Sequence, residues 1–214
     1  MISISEYRAD PCGSLSIPYH KAKDLLLPPH LRIVHQRDFQ NAQWAGWVDQ
    51  PYFRLYHPLR PLPRLPVPAP YRLEAAVEDD SPAIAELIRL CYSGDTTAEE
   101  VRSWRKRPVF CADLWLLARD QIGALSGAAI AEFDRETGEG ALEWVQVRPV
   151  HRRRGLGAAL VSALLERLAG MADFATVSGE VRNPTAPEAL YRRCGFSGQD
   201  IWHILYQTSV NEEK

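Results

Sequence analysis

The chain has 214 residues, 46% of them hydrophobic and 24% charged, with a formal net charge of -2. These proportions exclude a disordered, collagenous or disulfide-scaffold chain, and the charge balance gives no footprint for nucleic acid. Residues 1–70 nevertheless hold 11 of the 16 prolines, and they carry 8 Lys/Arg against 5 Asp/Glu where the remainder carries 17 against 22.

Residues 1–57 contain short apolar pieces, Leu25–Leu27 and Leu31–Val34, broken by Pro28 and Pro29, then the aromatic cluster Trp44, Trp47, Tyr52, Phe53 and Tyr56. No run keeps a period of 2 or 3.6 for long, so no regular element is predicted. The density of aromatics predicts a segment that is ordered and packs on the rest of the protein. Prolines at 58, 61, 63, 66, 68 and 70 make the next stretch a polyproline-II strap, able to span roughly 40 Å at about 3.1 Å per residue.

After Tyr71 the texture changes to alternating elements. Leu73–Val77 reads as a strand, and Ser81 followed by Pro82 starts a helix that runs through about Tyr92 and ends at Ser93-Gly94-Asp95. Thr97-x-x-Glu100 announces a second helix, which stops before Pro108. Strands follow at Leu114–Ala118, Ala124–Phe133 and Leu142–Val147, the last two joined by the turn-rich Asp134–Gly140. The clearest helix runs from Gly155 to Ala169, with Leu156, Leu160, Val161, Leu164, Leu165 and Leu168 on a broad apolar stripe and Gly170 as its C-cap. A strand at Ala175–Val181, a short helix after Pro187 and a strand at Ile201–Gln207 complete an α/β pattern.

Cys12, Cys91, Cys111 and Cys194 are scattered, without C-x-x-C or His at zinc spacing, so reduced thiols and no metal site are expected. The N-terminus lacks a basic region followed by an apolar one, and no run reaches the roughly 20 apolar residues of a membrane span. A cytoplasmic protein without a membrane partner is the expectation.

The chemistry is written in Leu142–Val161. A strand runs into Pro149, a basic turn follows, and Gly155-x-Gly157 opens the long helix. A helix start presents unpaired N–H groups and the positive end of the macrodipole. Arg152, Arg153 and Arg154 add positive charge, and the glycines leave the backbone open to a ligand. This is an anion site, suited to a pyrophosphate. It is not a Walker A loop, since no Gly-Lys-Ser/Thr follows, nor a G-x-G-x-x-G fingerprint, since Leu160 stands where the third glycine belongs.

Arg152-x-x-Gly155-x-Gly157 after a V-x-V-x-P strand end resembles the acetyl-CoA motif of the GNAT superfamily of N-acyltransferases, and Ala189-Leu190-Tyr191-Arg192-Arg193-Cys194-Gly195-Phe196 is similar to that family's A-x-L-Y-x-x-x-G-F helix end. The resemblance covers residues 71–207. It implies a mixed, mostly antiparallel central sheet flanked by helices, with residues 1–70 as a proline-rich extension before a 71–214 acetyltransferase domain.

It also implies roles. The backbone from Arg153 through Gly155, Leu156, Gly157 and Ala158 would hold the pyrophosphate, with Arg152 opening the loop and Arg154 beside it. Val145, Gln146 and Val147 would lie along the pantetheine arm, the Val145 amide polarising the thioester carbonyl. Tyr191 would be the general acid that protonates the departing thiolate. Glu143 is the candidate base, placed by strand alternation on the face of Val145 and Val147. Asn183 stands eight residues before Tyr191 where the family spacing is seven. Plain structural roles compete: Tyr191 as a half-buried helix tyrosine, Glu143 as a solvated or salt-bridged strand residue. His151 is expected at the surface, and His203 is a further candidate for the acceptor site. The function implied is acetyl transfer from acetyl-CoA to a primary amine, on a small molecule or peptide, by direct attack in a ternary complex. A non-catalytic acetyl-CoA-binding module is the alternative, and a homodimer is compatible with both.

Overall fold

The computed structural model describes residues 2–62, 64–92 and 94–207. Pro63 in the strap and Ser93 at the expected helix end lie outside the described residues. In chain order the elements are α1 (Ile4–Ala9), α2 (Pro11–Ser14), α3 (Tyr19–Ala22), β1 (Leu31–His35), β2 (Val48–His57), β3 (Arg72–Ala75), α4 (Ser81–Cys91), α5 (Ala98–Trp104), β4 (Trp115–Arg119), β5 (Leu125–Asp134), β6 (Glu139–Val147), α6 (Leu156–Leu168), β7 (Phe174–Glu180), α7 (Pro187–Arg193) and β8 (Ser197–Tyr206). The strands form one eight-stranded sheet in the order β1-β8-β2-β7-β6-β5-β4-β3. Only β6 and β7 run parallel.

From β3 onward the elements follow the sequence expectation, with local differences. Thr97 caps α5 by accepting from the Glu100 amide at 3.1 Å. Ser81 does not cap α4; its hydroxyl donates to the Glu78 carbonyl at 2.6 Å, and a 3-10 turn, Glu78–Asp80, leads into the helix. Gly170 is not left-handed. The last turn of α6 closes instead on Leu168, whose carbonyl accepts from Met171 and Ala172.

The first 57 residues do more than pack on the sheet. They supply β1 at one edge and β2 in the interior, between β7 and β8. The boundary near residue 70 therefore separates β2 from β3 along the chain but not within the sheet. Pro51 and Arg54 hid β2 from the alternation pattern. Phe53 and Leu55 do alternate into the core, but Arg54 between them is also buried, at 1% exposure. Its guanidinium is accommodated because Nη2 donates to Glu139 Oε1 at 3.0 Å and to Tyr7 Oη at 2.9 Å, while Nε donates to the Pro11 carbonyl at 3.2 Å. A buried charge stays only where it is paired and hydrogen-bonded.

The strap connects β2 to β3 across the outside of α6. It spans five strand spacings, about 24 Å at ~4.8 Å each, within the reach of an extended run. Leu59 is buried, Leu62 and Leu65 pack on the core, and the Leu65 amide donates to Ser162 Oγ on α6 at 3.2 Å. Two cores flank the sheet. On one face α6 and α7 cover Leu55, Leu116, Ala129, Leu142, Val145 and Val177. On the other, α4 and α5 cover Trp115, Leu117, Ile130 and Trp144. Helices α1–α3 share that second face, where Tyr7 and Tyr19 meet Phe174 and Tyr56.

Candidate functional site

The site begins with a bulge. Ile130 pairs with Trp144 and Ala131 with Leu142, so Glu143 has no partner on β5. An extra residue in one strand bends it and resets its alternation. On its other edge β6 pairs with β7 only from Glu139↔Phe174 to Leu142↔Val177, and beyond the bulge the two parallel strands part. Into that gap opens a cavity of about 520 Å³.

The bulge also corrects the expected position of Glu143. Leu142, Val145 and Val147 pack toward α6 and α7, whereas Trp144 packs toward α4 and α5. The Glu143 carboxylate lies on that second face, ion-paired with Lys21 of α3. Lys21 also stands 3.5 Å from Glu132, which accepts from Arg107 at 2.8 Å and contacts His20 at 3.0 Å. Burial opposes ionisation of Glu132, but the His20 hydrogen bond and the Lys21 and Arg107 charges outweigh it and hold its carboxyl at about 2.

The free edge of β6 can be read from its carbonyls. The Val145 carbonyl accepts from Tyr92 Oη at 3.1 Å, and the Val147 carbonyl from Arg152 Nε at 3.0 Å and Cys91 Sγ at 3.5 Å. These partners lie on the edge away from β5. In an antiparallel ladder a residue's N–H and C=O point to the same edge. The Val145 and Val147 amides therefore also face the gap. Gln146 is 4% exposed, and neither its Oε1 nor its Nε2 has a partner.

At the mouth stands the start of α6. Gly155 is its N-cap at φ 84°, with no side-chain cap, and Ala159 is the first amide bonded within the helix, to the Gly155 carbonyl at 3.0 Å. Leu156, Gly157 and Ala158 all line the cavity. The two glycines have different reasons. A Cβ on Gly155 would meet nothing within 4 Å, so the left-handed φ alone calls for glycine there; a Cβ on Gly157 would come 3.3 Å from Leu190 Cδ2, so that glycine lets α7 approach.

The arginines divide. Arg152 and Arg153 line the cavity, Arg153 at φ 63°, while Arg154 turns away toward the Tyr71 hydroxyl at 3.4 Å. His151 is not free in solvent: its Nδ1 meets the same hydroxyl at 2.9 Å.

Tyr191 on α7 lines the cavity at 6% exposure, against Phe53 and Phe196. Burial first, then the neighbouring Tyr92 and Cys194, push its phenol well above the ordinary value. The hydroxyl stays protonated, as a proton donor requires. Asn183 is at the wall, but its Oδ1 already accepts from the Thr185 amide at 2.9 Å and hydroxyl at 2.7 Å. His203 lies away from the cavity, paired with Asp49 at 2.9 Å and stacked on Phe39.

Sequence reasoning missed Tyr52, Tyr92, Ser178 and Glu180, all in the cavity wall. Tyr52, Ser178 and Glu180 stand on the face of Arg54, which reaches Ser178 Oγ at 3.2 Å. No local pattern marks them, because β2 and β7 come together only in the sheet. The cavity thus opens on both faces, toward α6 and α7 on one side and toward Tyr52, Glu143 and Glu180 on the other. Among the described residues, no group of three or more His, Cys, Asp or Glu is placed to hold a metal ion. None of the described helices is long and apolar enough to cross a membrane.

A bulge-splayed pair of parallel strands, with an uncapped helix start at the mouth, leaves two arrays of unbonded backbone amides facing one cavity. The family model described as the Acetyltransferase (GNAT) family matches residues 81–196, more than half of the chain, and the chain belongs to that family. Solved structures agree in fold. A GCN5-related N-acetyltransferase from Sphaerobacter thermophilus is 20% identical with a TM-score of 0.67, over 86% of this chain and 62% of its own. An acetyltransferase from the GNAT family of Colwellia psychrerythraea is 14% identical with a TM-score of 0.61, over 81% and 64%. The ribosomal-protein-S18-alanine N-acetyltransferase from Escherichia coli is 19% identical with a TM-score of 0.51, over 67% and 98%. The chain thus spans less than two thirds of the length of the first two. No curated protein sequence matches it.

Proposed function

We propose that the protein transfers an acetyl group from acetyl-CoA to a primary amine by direct attack in a ternary complex. The observation that carries this reading is the pairing of two free backbone arrays on one cavity: the Val145 and Val147 amides along β6, and the first-turn amides of α6 at its mouth. The first suits the amides of a pantetheine arm, held as an added strand. The second suits a pyrophosphate, with Arg152 and Arg153 supplying charge. The residues present therefore fit the group, which when bound supplies an activated acetyl thioester.

The Val145 amide donates to the thioester carbonyl oxygen as negative charge develops there. Glu143 orients the incoming ammonium and takes its proton; the amine arrives from the face of Tyr52 and Glu180, where Glu143 stands. Tyr191, a phenol that is protonated at neutral pH, gives its proton to the departing sulfur. No acyl-carrying nucleophile is needed, and the acceptor can be a small molecule or a peptide. Thiol release from acetyl-CoA in the presence of a panel of amines tests the reading. Acceptor-dependent release is expected; tight CoA binding without release to any amine would overturn it.

A further inference from the structure

We propose that the chain acetylates itself on Lys21, the residue whose ammonium sits on Glu143. The inference rests on the acetyl transfer proposed above and deepens it. Lys21 Nζ contacts the Glu143 carboxylate and lies 3.5 Å from Glu132 Oε2. That is where an acceptor amine must come if Glu143 is to orient it and take its proton. Glu143 and Val145 both line the cavity, which opens on both faces of the sheet. The Lys21 side chain is 30% exposed on a flexible four-carbon stem, and the reaction requires it to leave the Glu143 carboxylate and turn toward the Val145 edge through the opening between β6 and β7.

The residue type matters. Only four of the 25 basic residues are lysines, at 21, 23, 106 and 214. Arginine would pair with Glu143 equally well, but its guanidinium is not deprotonated in proteins and could not attack. Among the described residues, the basic side chain on the candidate base is thus of the acylatable kind.

The step balances without an added reagent. The Lys21 ammonium gives one proton to Glu143, which returns it to solvent. The freed amine attacks the thioester carbonyl carbon, and the C–S bond breaks as the C–N bond forms. Tyr191 places its proton on the sulfur and recovers one as the nitrogen loses its second. The products are acetyl-Lys21, CoA thiol and one proton. Acetylation removes the charge that neutralises Glu143, leaving that carboxylate open to an external ammonium.

Two measurements test this. Carbodiimide treatment of the full chain without acetyl-CoA should join Lys21 to Glu143, seen as a cross-linked peptide pair by mass spectrometry. Incubation with isotope-labelled acetyl-CoA should then label Lys21 at least about tenfold faster than Lys23 or Lys106, at a rate independent of protein concentration, as proximity requires. A thiol burst is expected without acceptor; Lys21→Arg should abolish it, and Tyr191→Phe should slow the labelling. Labelling of Lys21 no faster than of Lys23 overturns the proposal, as does absence of the cross-link. A parallel assay with external amines reports separately on acetyl transfer, so failure of the self-reaction is distinguished from failure of that reading.

Discussion

Arg54 and Glu139 meet as an ion pair inside the sheet, Nη2 to Oε1 at 3.0 Å, with side chains 1% and 0% exposed. The same carboxylate accepts from Tyr7 Oη at 2.7 Å and Thr176 Oγ1 at 2.5 Å. One buried charge pair thus joins β2 to β6 across β7 and ties α1 to both.

Breaking it should be costly, because a buried charge left without its partner keeps its desolvation penalty. Arg54→Met is expected to lower unfolding stability by about 3 kcal/mol or more, read from urea titration. Replacing both members, with Arg54→Met and Glu139→Gln, should recover part of that loss. A single variant as stable as the parent would mean that the pair contributes nothing.

The two glycines at the start of α6 should fail differently. Gly155→Ala has room but adopts φ 84°, so a loss of about 1 kcal/mol in stability is expected from backbone strain. Gly157→Val must push Leu190, and with it α7, away from α6. Its main effect should be weaker CoA binding by calorimetry.

Tyr191→Phe removes the proton donor proposed for the departing sulfur. A fall in turnover of about a hundredfold is expected, with CoA affinity nearly unchanged. Equal loss in affinity would point to packing against Phe53 and Phe196 instead.

Glu132 makes stability pH-dependent. Its folded carboxyl is held at about 2 against a usual value of 4.5. A depressed folded value means stability that is fully present above the unfolded value and lost as pH falls through the folded one. Stability should decline between about pH 5 and pH 2, and Glu132→Gln should flatten that decline at the expense of stability at neutral pH. Thermal unfolding across that range measures it.

Much of this protein is local and was legible in the residues. The apolar stripe of Leu156–Leu168, the Thr97 cap, the glycine-led helix start and the element order after residue 71 follow from periodicity, capping and turn chemistry. Each of these acts within a few positions. The unpaired first-turn amides of α6 are of the same kind, since any such helix start presents them.

Tertiary structure decided the rest. β2 takes its place in the sheet by pairing with β7 and β8, where Arg54 meets Glu139 far along the chain, and no pattern within β2 announces those partners. The bulge at Glu143 shifts the alternation by one residue, sending its carboxylate to Lys21 rather than to the face of Val145. Arg154 turns to Tyr71 and leaves Arg152 and Arg153 at the cavity. In each case the sequence determined which groups were available, while the choice among partners depended on long-range strand pairing. Pairing alone decides which edge, face and neighbour a side chain meets.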